Sequence, residues 1–84
     1  MSENNVKVLF FGAAADRAGT RETETPIEAG TTLDELWSTL AEKHPDLSPM
    51  RGTLAFAING EYAGRDAILS PGDEVAVLPP VSGG

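Results

Sequence analysis

The segment from Leu33 to His44 constrains the fold of this chain more than any other stretch. Its apolar side chains recur at the spacing of one helix face, i, i+3, i+4, i+7 and i+11: Leu33, Leu36, Trp37, Leu40 and His44. Thr31 or Thr32 can cap this helix together with an acidic residue three positions later, and Pro45 ends it. A helix with one apolar face must pack that face on an apolar surface, and in this chain only strands can supply one.

Five stretches are typical of β-strands, being rich in β-branched and aromatic residues or alternating in polarity: 6–11, 21–28, 54–58, 61–63 and 74–78. The dipeptide Asn59-Gly60 between the third and the fourth is a strong hairpin signal. Pro26 lies in the second stretch, which suits an exposed edge strand.

The order strand, strand, helix, strand, short strand, strand predicts an α+β protein with the β-grasp, or ubiquitin-like, arrangement. We expect a mixed five-stranded sheet that clasps one main helix, with the last strand returning to the middle. The domain is expected to cover residues 1–78, and an extended Gly-Gly tail residues 79–84. Side-chain alternation along the first and last strands predicts these core residues: Val6, Val8, Phe10, Val75 and Val77.

The other face of the first strand carries Lys7, Leu9 and Phe11, and Leu78 points to the matching side of the last strand. Either this face is an apolar contact surface, or both sheet faces are covered within the fold. We favour a contact surface, because large apolar side chains on an otherwise solvated face mark an interaction site.

The segment from Gly12 to Gly19 is interpreted as a loop of small residues. It has the outline of a phosphate cradle, but it lacks the Lys-Ser/Thr ending of a P-loop and the spacing of a dinucleotide-binding fingerprint. Nucleotide binding is therefore not expected there.

Thirteen acidic and six basic residues give a formal net charge of −7. Such a surface repels phosphate backbones, so nucleic acid is not an expected partner. The charge can steer association with a basic protein surface, or it can serve solubility alone. With no cysteine and one histidine, the chain is expected to bind no metal, and His44 is interpreted as a helix-end residue beside the core. The polar start and the short apolar runs lead us to expect a soluble cytoplasmic protein without a membrane partner.

The end of the chain has an unusual composition: Pro79, Pro80, Val81, Ser82, Gly83 and Gly84. Prolines favour polyproline II geometry, so these six residues can reach on the order of 19 Å. Two glycines without side chains can enter a narrow channel, with the α-carboxylate of Gly84 at the tip. A Gly-Gly end can also be a tag scar or a flexible terminus, but a merely flexible end needs no stiff Pro-Pro pair before it.

Three motifs resemble those of the small subunit of molybdopterin synthase and its ubiquitin-like sulfur-carrier relatives. They are Lys7-Val8-Leu9-Phe10-Phe11, Gly72-Asp73-Glu74-Val75 and Pro79-Pro80-Val81-Ser82-Gly83-Gly84, and the likeness covers nearly the whole chain. The resemblance implies that a separate E1-like activating enzyme adenylates Gly84 with ATP, and that a persulfide sulfur donor then converts the C-terminus to a thiocarboxylate. This chain itself would bind no cofactor.

The resemblance further implies that the tail enters a pocket of the large synthase subunit, which supplies the catalytic groups. The sulfur would then go to cyclic pyranopterin monophosphate in molybdenum cofactor biosynthesis. Gly83 would pass the narrow channel, Val81 and Ser82 would set depth and register, and Pro79 and Pro80 would limit the entropy lost on insertion.

Phe11 and Leu78 match positions of the family's apolar contact surface, and Leu9 shares their side of the sheet. The family commonly has a basic residue just before the acidic one in the segment after the first strand. Here Ala15 precedes Asp16 and Arg17 follows it, so the role of Arg17 in docking is open.

Other functions stay open beside this one. A ubiquitin-like protein modifier would join Gly84 to lysines of target proteins. A thiamine-pathway sulfur carrier would use the same chemistry, although its tail usually lacks the Pro-Pro pair. In a plain interaction module, the tail would be incidental.

Overall fold

The computed structural model describes residues 4–79, in which five strands form one sheet that packs against the longer of two α-helices. In chain order the elements are β1 (Asn5–Phe10), α1 (Gly12–Ala18), β2 (Glu22–Pro26), α2 (Leu33–Lys43), a 3-10 helix (Pro45–Met50), β3 (Ala55–Ile58), β4 (Glu61–Ala63) and β5 (Glu74–Leu78). The strand order is β2-β1-β5-β3-β4, with β1 and β5 parallel and all other neighbours antiparallel. The predicted mixed β-grasp sheet, with its last strand in the middle, is confirmed.

Helix α2 forms one side of the hydrophobic core, opposite the sheet. Its apolar stripe is buried as predicted: Leu33, Leu36, Trp37 and Leu40. The Trp37 ring meets the Phe56 ring of β3 edge-on, with centroids 5.8 Å apart. Thr32 is the N-cap: its Oγ1 accepts the Glu35 N–H at 3.2 Å, while the Glu35 carboxylate accepts the Thr32 N–H at 2.9 Å. This reciprocal capping box fixes where the helix begins.

The segment after β4 also holds the start of α2. The Leu33 N–H donates to the carbonyl of Ala67 at 2.9 Å, and the Asp34 N–H donates to that of Arg65 at 2.8 Å. The Asp34 carboxylate lies 3.8 Å from Arg65 and 3.9 Å from Arg51. Backbone donors that a helix leaves free at its N-terminus are therefore already satisfied.

His44 is the C-cap of α2, and it is only partly exposed. Its ring meets the ring of Phe10 edge-on at 5.8 Å. Pro45 starts the 3-10 helix directly after it. This position agrees with the interpretation of His44 as a helix-end residue beside the core.

Asn59 and Gly60 form the predicted tight turn between β3 and β4. Both have positive φ angles, 52° and 87°, as a type I′ turn requires. The Asn59 amide also donates to the Asp73 carboxylate at 2.9 Å, and its oxygen accepts the Glu74 N–H at 3.0 Å. The hairpin is thereby tied to the start of β5.

The prediction of a loop from Gly12 to Gly19 is wrong, because Gly12–Ala18 forms helix α1. Strand β1 ends at Phe10, and Phe11 is the extended N-cap residue of α1. Alanine is the best helix former, and the fully buried Ala14 anchors the short helix to the core. Gly19, in the left-handed region, ends it. A seven-residue helix with one buried alanine leaves no apolar stripe that periodicity could detect.

We expect Thr32→Ala to lower the free energy of unfolding by about 1 kcal/mol, because it removes the side-chain half of the capping box. Chemical denaturation followed by Trp37 fluorescence measures this. Ser38→Ala, on an exposed position of the same helix, is the matched control and should leave stability unchanged or slightly higher. Equal losses in both variants would contradict the capping role.

Two adjacent phenylalanines lie on opposite faces of the sheet and should respond very differently to truncation. Phe10 is 3% exposed and Phe11 is 45% exposed. We expect Phe10→Ala to cost about 3–5 kcal/mol of unfolding free energy, and Phe11→Ala less than about 1 kcal/mol. A Phe11→Ala loss as large as that of Phe10→Ala would show that Phe11 belongs to the core.

Candidate contact face and tail exit

The expected tail begins at the edge of the described part of the structure. Pro79 is the last described residue, half-buried after β5. The tail residues expected to carry the reaction lie outside the described residues: Pro80, Val81, Ser82, Gly83 and Gly84. Because β5 is the central strand and runs parallel to β1, the chain leaves it beside the end of β1.

Gly12 lies directly against the start of the tail. Its φ is +55°, and a Cβ placed on it would come within 2.9 Å of Cγ of the Pro79 ring. The neighbouring Phe11 N–H donates to the carbonyl of Val77 at 3.2 Å. The corner after β1 is therefore packed against the residue at which the chain leaves the sheet. The sequence offered only a glycine after a strand as a sign of this contact.

The sheet face opposite α2 carries exposed and partly exposed apolar side chains, and we call it the open face. In register across β1, β5, β3 and β4 lie Leu9, Ala76, Ala57 and Tyr62. The next row contains Ala55 and Leu78, and Phe11 follows directly after β1. Phe11 is 45% exposed and Tyr62 81% exposed, while Leu9 and Leu78 are partly exposed.

The structure thus brings the three predicted contact residues, Leu9, Phe11 and Leu78, to one surface. Sequence reasoning missed Tyr62, the most exposed aromatic of this surface. In a strand of three residues, alternation alone does not say which face is covered. The Asn59-Gly60 turn fixes the register that sets Tyr62 opposite Ala57, so a count from that turn could have found it.

One end of the open face is acidic. Lys7 is paired in register with Glu24 on one side and with Glu74 on the other, and its amine lies 3.8 Å from the carboxylate of Glu22. A single cation is therefore set among three carboxylates. This arrangement suits a partner with basic groups around an apolar centre.

Arg17 does not belong to the open face. Its guanidinium donates to the carbonyl of Asp46 at 3.5 Å, which links α1 to the 3-10 helix. The Arg17 side chain therefore connects two helical segments of the fold.

Residues 4–79 contain no group of three His, Cys, Asp or Glu side chains placed to hold a metal ion. No helix in the same part of the chain has the length and hydropathy needed to cross a bilayer. The features of these residues that bear on function are the apolar open face and the packing of Gly12 against Pro79, where the tail begins.

The sequence is similar to those of molybdopterin synthase sulfur carrier subunits. The human protein is 35% identical over 82 residues, which cover 94% of this chain and 93% of the human one. The protein of Caenorhabditis briggsae is 40% identical over 88 aligned positions, covering 95% of this chain and 98% of the nematode one.

Solved structures share the fold. The crystal structure of SAMP1 from Haloferax volcanii superposes with a TM-score of 0.84 at 30% identity, covering 95% of this chain and 99% of that one. A protein–protein complex of subunits 1 and 2 of molybdopterin-converting factor from Helicobacter pylori contains a chain with a TM-score of 0.67 and 33% identity, covering 95% and 99%. The model of the ThiS family matches residues 8–84. The family expected from the sequence is confirmed: this chain belongs to the ThiS family, together with the sulfur carrier subunits to which it is similar.

Proposed function

We propose that this chain is the sulfur-carrier small subunit of a molybdopterin synthase. One observation carries the proposal: Pro79, the first residue of the sequence Pro-Pro-Val-Ser-Gly-Gly, follows directly after the central strand of the sheet, next to an exposed apolar face. The sulfur carrier subunits named above support the assignment by similarity over almost the whole chain.

The chemistry of the carrier follows from its C-terminus. A free carboxylate is a poor acyl donor, because oxide would have to leave. An E1-like activating enzyme transfers AMP from ATP to the Gly84 carboxylate and releases pyrophosphate. A persulfide then attacks the carbonyl and displaces AMP, and cleavage of its S–S bond by a thiol leaves the thiocarboxylate. Sulfur cannot be carried on a cysteine, since the chain has none.

The thiocarboxylate then has to reach its acceptor in a second protein. The open face binds the large subunit of the synthase, and the tail delivers sulfur to cyclic pyranopterin monophosphate in its pocket. The Helicobacter pylori complex of two converting-factor subunits supports such an assembly. In this proposal, catalytic acids and bases belong to the large subunit, and the carrier is expected to act in the cytoplasm.

We expect a fraction of this protein, purified from cells with the activating enzyme, to be heavier by the difference between one sulfur and one oxygen atom. Intact-mass spectrometry followed by sequencing of the C-terminal peptide measures it. Adding one alanine after Gly84 should abolish both the mass shift and rescue of molybdopterin-deficient cells, because the activated carbonyl is displaced. One alanine added before Met1 is the control. Full rescue by the C-terminally extended chain would refute the proposal.

Truncating the open face should weaken the complex without unfolding the carrier. We expect Phe11→Ala and Tyr62→Ala each to raise the Kd for the large subunit by about tenfold or more, as anchors of an apolar interface do. Isothermal titration calorimetry measures the affinity. Ile68→Ala removes a side chain that is 66% exposed beside the start of α2, and it should leave the affinity unchanged. Equal affinities in all three variants would exclude the open face as the docking surface.

A protein modifier is the alternative, because the Haloferax volcanii structure with the same fold is that of a small archaeal modifier protein. In that case, denaturing gels probed for this chain would show ladders of conjugates that vanish on deletion of Gly84. A thiamine-pathway carrier would instead rescue thiamine-requiring cells. The sulfur-carrier proposal expects neither result.

A further inference from the structure

A groove adjoins the open face at the end of β1. Its volume is about 510 Å³, and its apolar lining comes from Leu9, Phe10, Phe11, Gly12 and Ala15. Leu9 and Phe11 belong to the open face as well, so the two surfaces are continuous. Gly12 also touches Pro79, which puts the groove beside the exit of the tail.

Arg21 brings a positive charge to this groove. Its backbone carbonyl accepts the Phe10 N–H at 2.8 Å, which fixes the residue next to the end of β1. The side chain is exposed and lines the groove, but it forms no ion pair with any of residues 4–79. Two carboxylates line the same groove: Glu22 is engaged with Lys7, and Asp16 has no ion pair among these residues.

The other cations in the described part of the chain are mostly engaged. Lys7 forms an ion pair with Glu22, and Arg17 donates a hydrogen bond to the Asp46 carbonyl. Arg51 and Arg65 both form ion pairs with Asp34. Lys43, at the far end of α2, has no ion pair within residues 4–79, like Arg21, but it does not line the groove. The Arg21 guanidinium, which has no ion pair among residues 4–79, lies beside the apolar side chains of the groove, and this cation disfavours a basic group of a partner at that point.

We propose that this groove binds an acidic segment of the large subunit, with a carboxylate on Arg21 and an adjacent apolar side chain against Phe11. The inference rests on the proposed function and names the chemistry of the partner at one end of the interface. Arginine forms bidentate hydrogen bonds with a carboxylate, and these fix orientation as well as position. Arg21 is thus a specificity-determining residue. The carboxylates around Lys7 favour basic groups, whereas the Arg21 guanidinium favours an acidic one, so these two positions together set the register of docking.

Charge reversal tests the carboxylate contact. The full chain and the purified large subunit are titrated by calorimetry, with Arg21→Glu compared with Lys43→Glu, which makes the same change in net charge at an exposed site outside the groove. We expect Arg21→Glu to raise the Kd about tenfold or more and Lys43→Glu to change it less than about twofold. Thermal melts of the free variants check that both are folded.

Cross-linking then identifies the contact directly and does not depend on charge reversal. Arg21→Lys keeps the positive charge and introduces an amine, which a carbodiimide couples to a carboxylate in contact with it. We expect an intermolecular amide between position 21 and an Asp or Glu of the large subunit, mapped by peptide mass spectrometry. The wild-type chain, whose only lysines are Lys7 and Lys43, is the control.

The outcomes separate the two proposals. If the wild-type chain binds the large subunit but Arg21→Glu behaves like Lys43→Glu, the groove inference is wrong and the sulfur-carrier function stands. Intermolecular cross-links confined to Lys7 or Lys43 in the Arg21→Lys chain would overturn the inference in the same way. If the wild-type chain does not bind the large subunit at all, the proposed function fails and the inference fails with it.

Discussion

The parallel pairing of β1 with β5 is the constraint on which the rest of the structure depends. It joins the first and the last strand in the centre of the sheet, with Val8 opposite Val75 and Phe10 opposite Val77. Because these strands run in the same direction, they end side by side. The corner after β1 therefore meets Pro79 where the chain leaves β5, and the groove, the open face and the start of the tail are neighbours for this one reason.

The sheet separates stability from recognition. One face buries the stripe of α2, and its central valines are fully enclosed. The other face keeps an apolar strip exposed, since the main helix covers only one side of the sheet. A side chain such as Phe11 can therefore change without disturbing the core, while its neighbour Phe10 cannot. The side chains that hold the core together are therefore different from the side chains that remain exposed on the sheet.

The sequence predicted the elements whose signals are local. The α2 stripe, its capping box and the Asn59-Gly60 turn each lie within a few residues, and side-chain alternation assigned both faces of β1 and β5. Helix α1 was missed because it contacts the core only through small alanine side chains, of which Ala14 alone is fully buried among the residues of this helix. The contact of Gly12 with Pro79 and the place of Arg21 beside Phe11 were missed for another reason: both depend on residues brought together by the sheet, and no local pattern encodes them.

The central position of β5 also has a consequence for biosynthesis. Strands β1 and β3 each lack one partner until residues 74–78 have emerged from the ribosome. The β1–β2 pair and the β3–β4 hairpin then stay separate, with strand edges open, because non-local pairing comes late in folding. A prematurely terminated product lacks the strand that joins these halves, together with the residues that follow it. Such a fragment keeps strand edges exposed and is therefore a target for proteolysis.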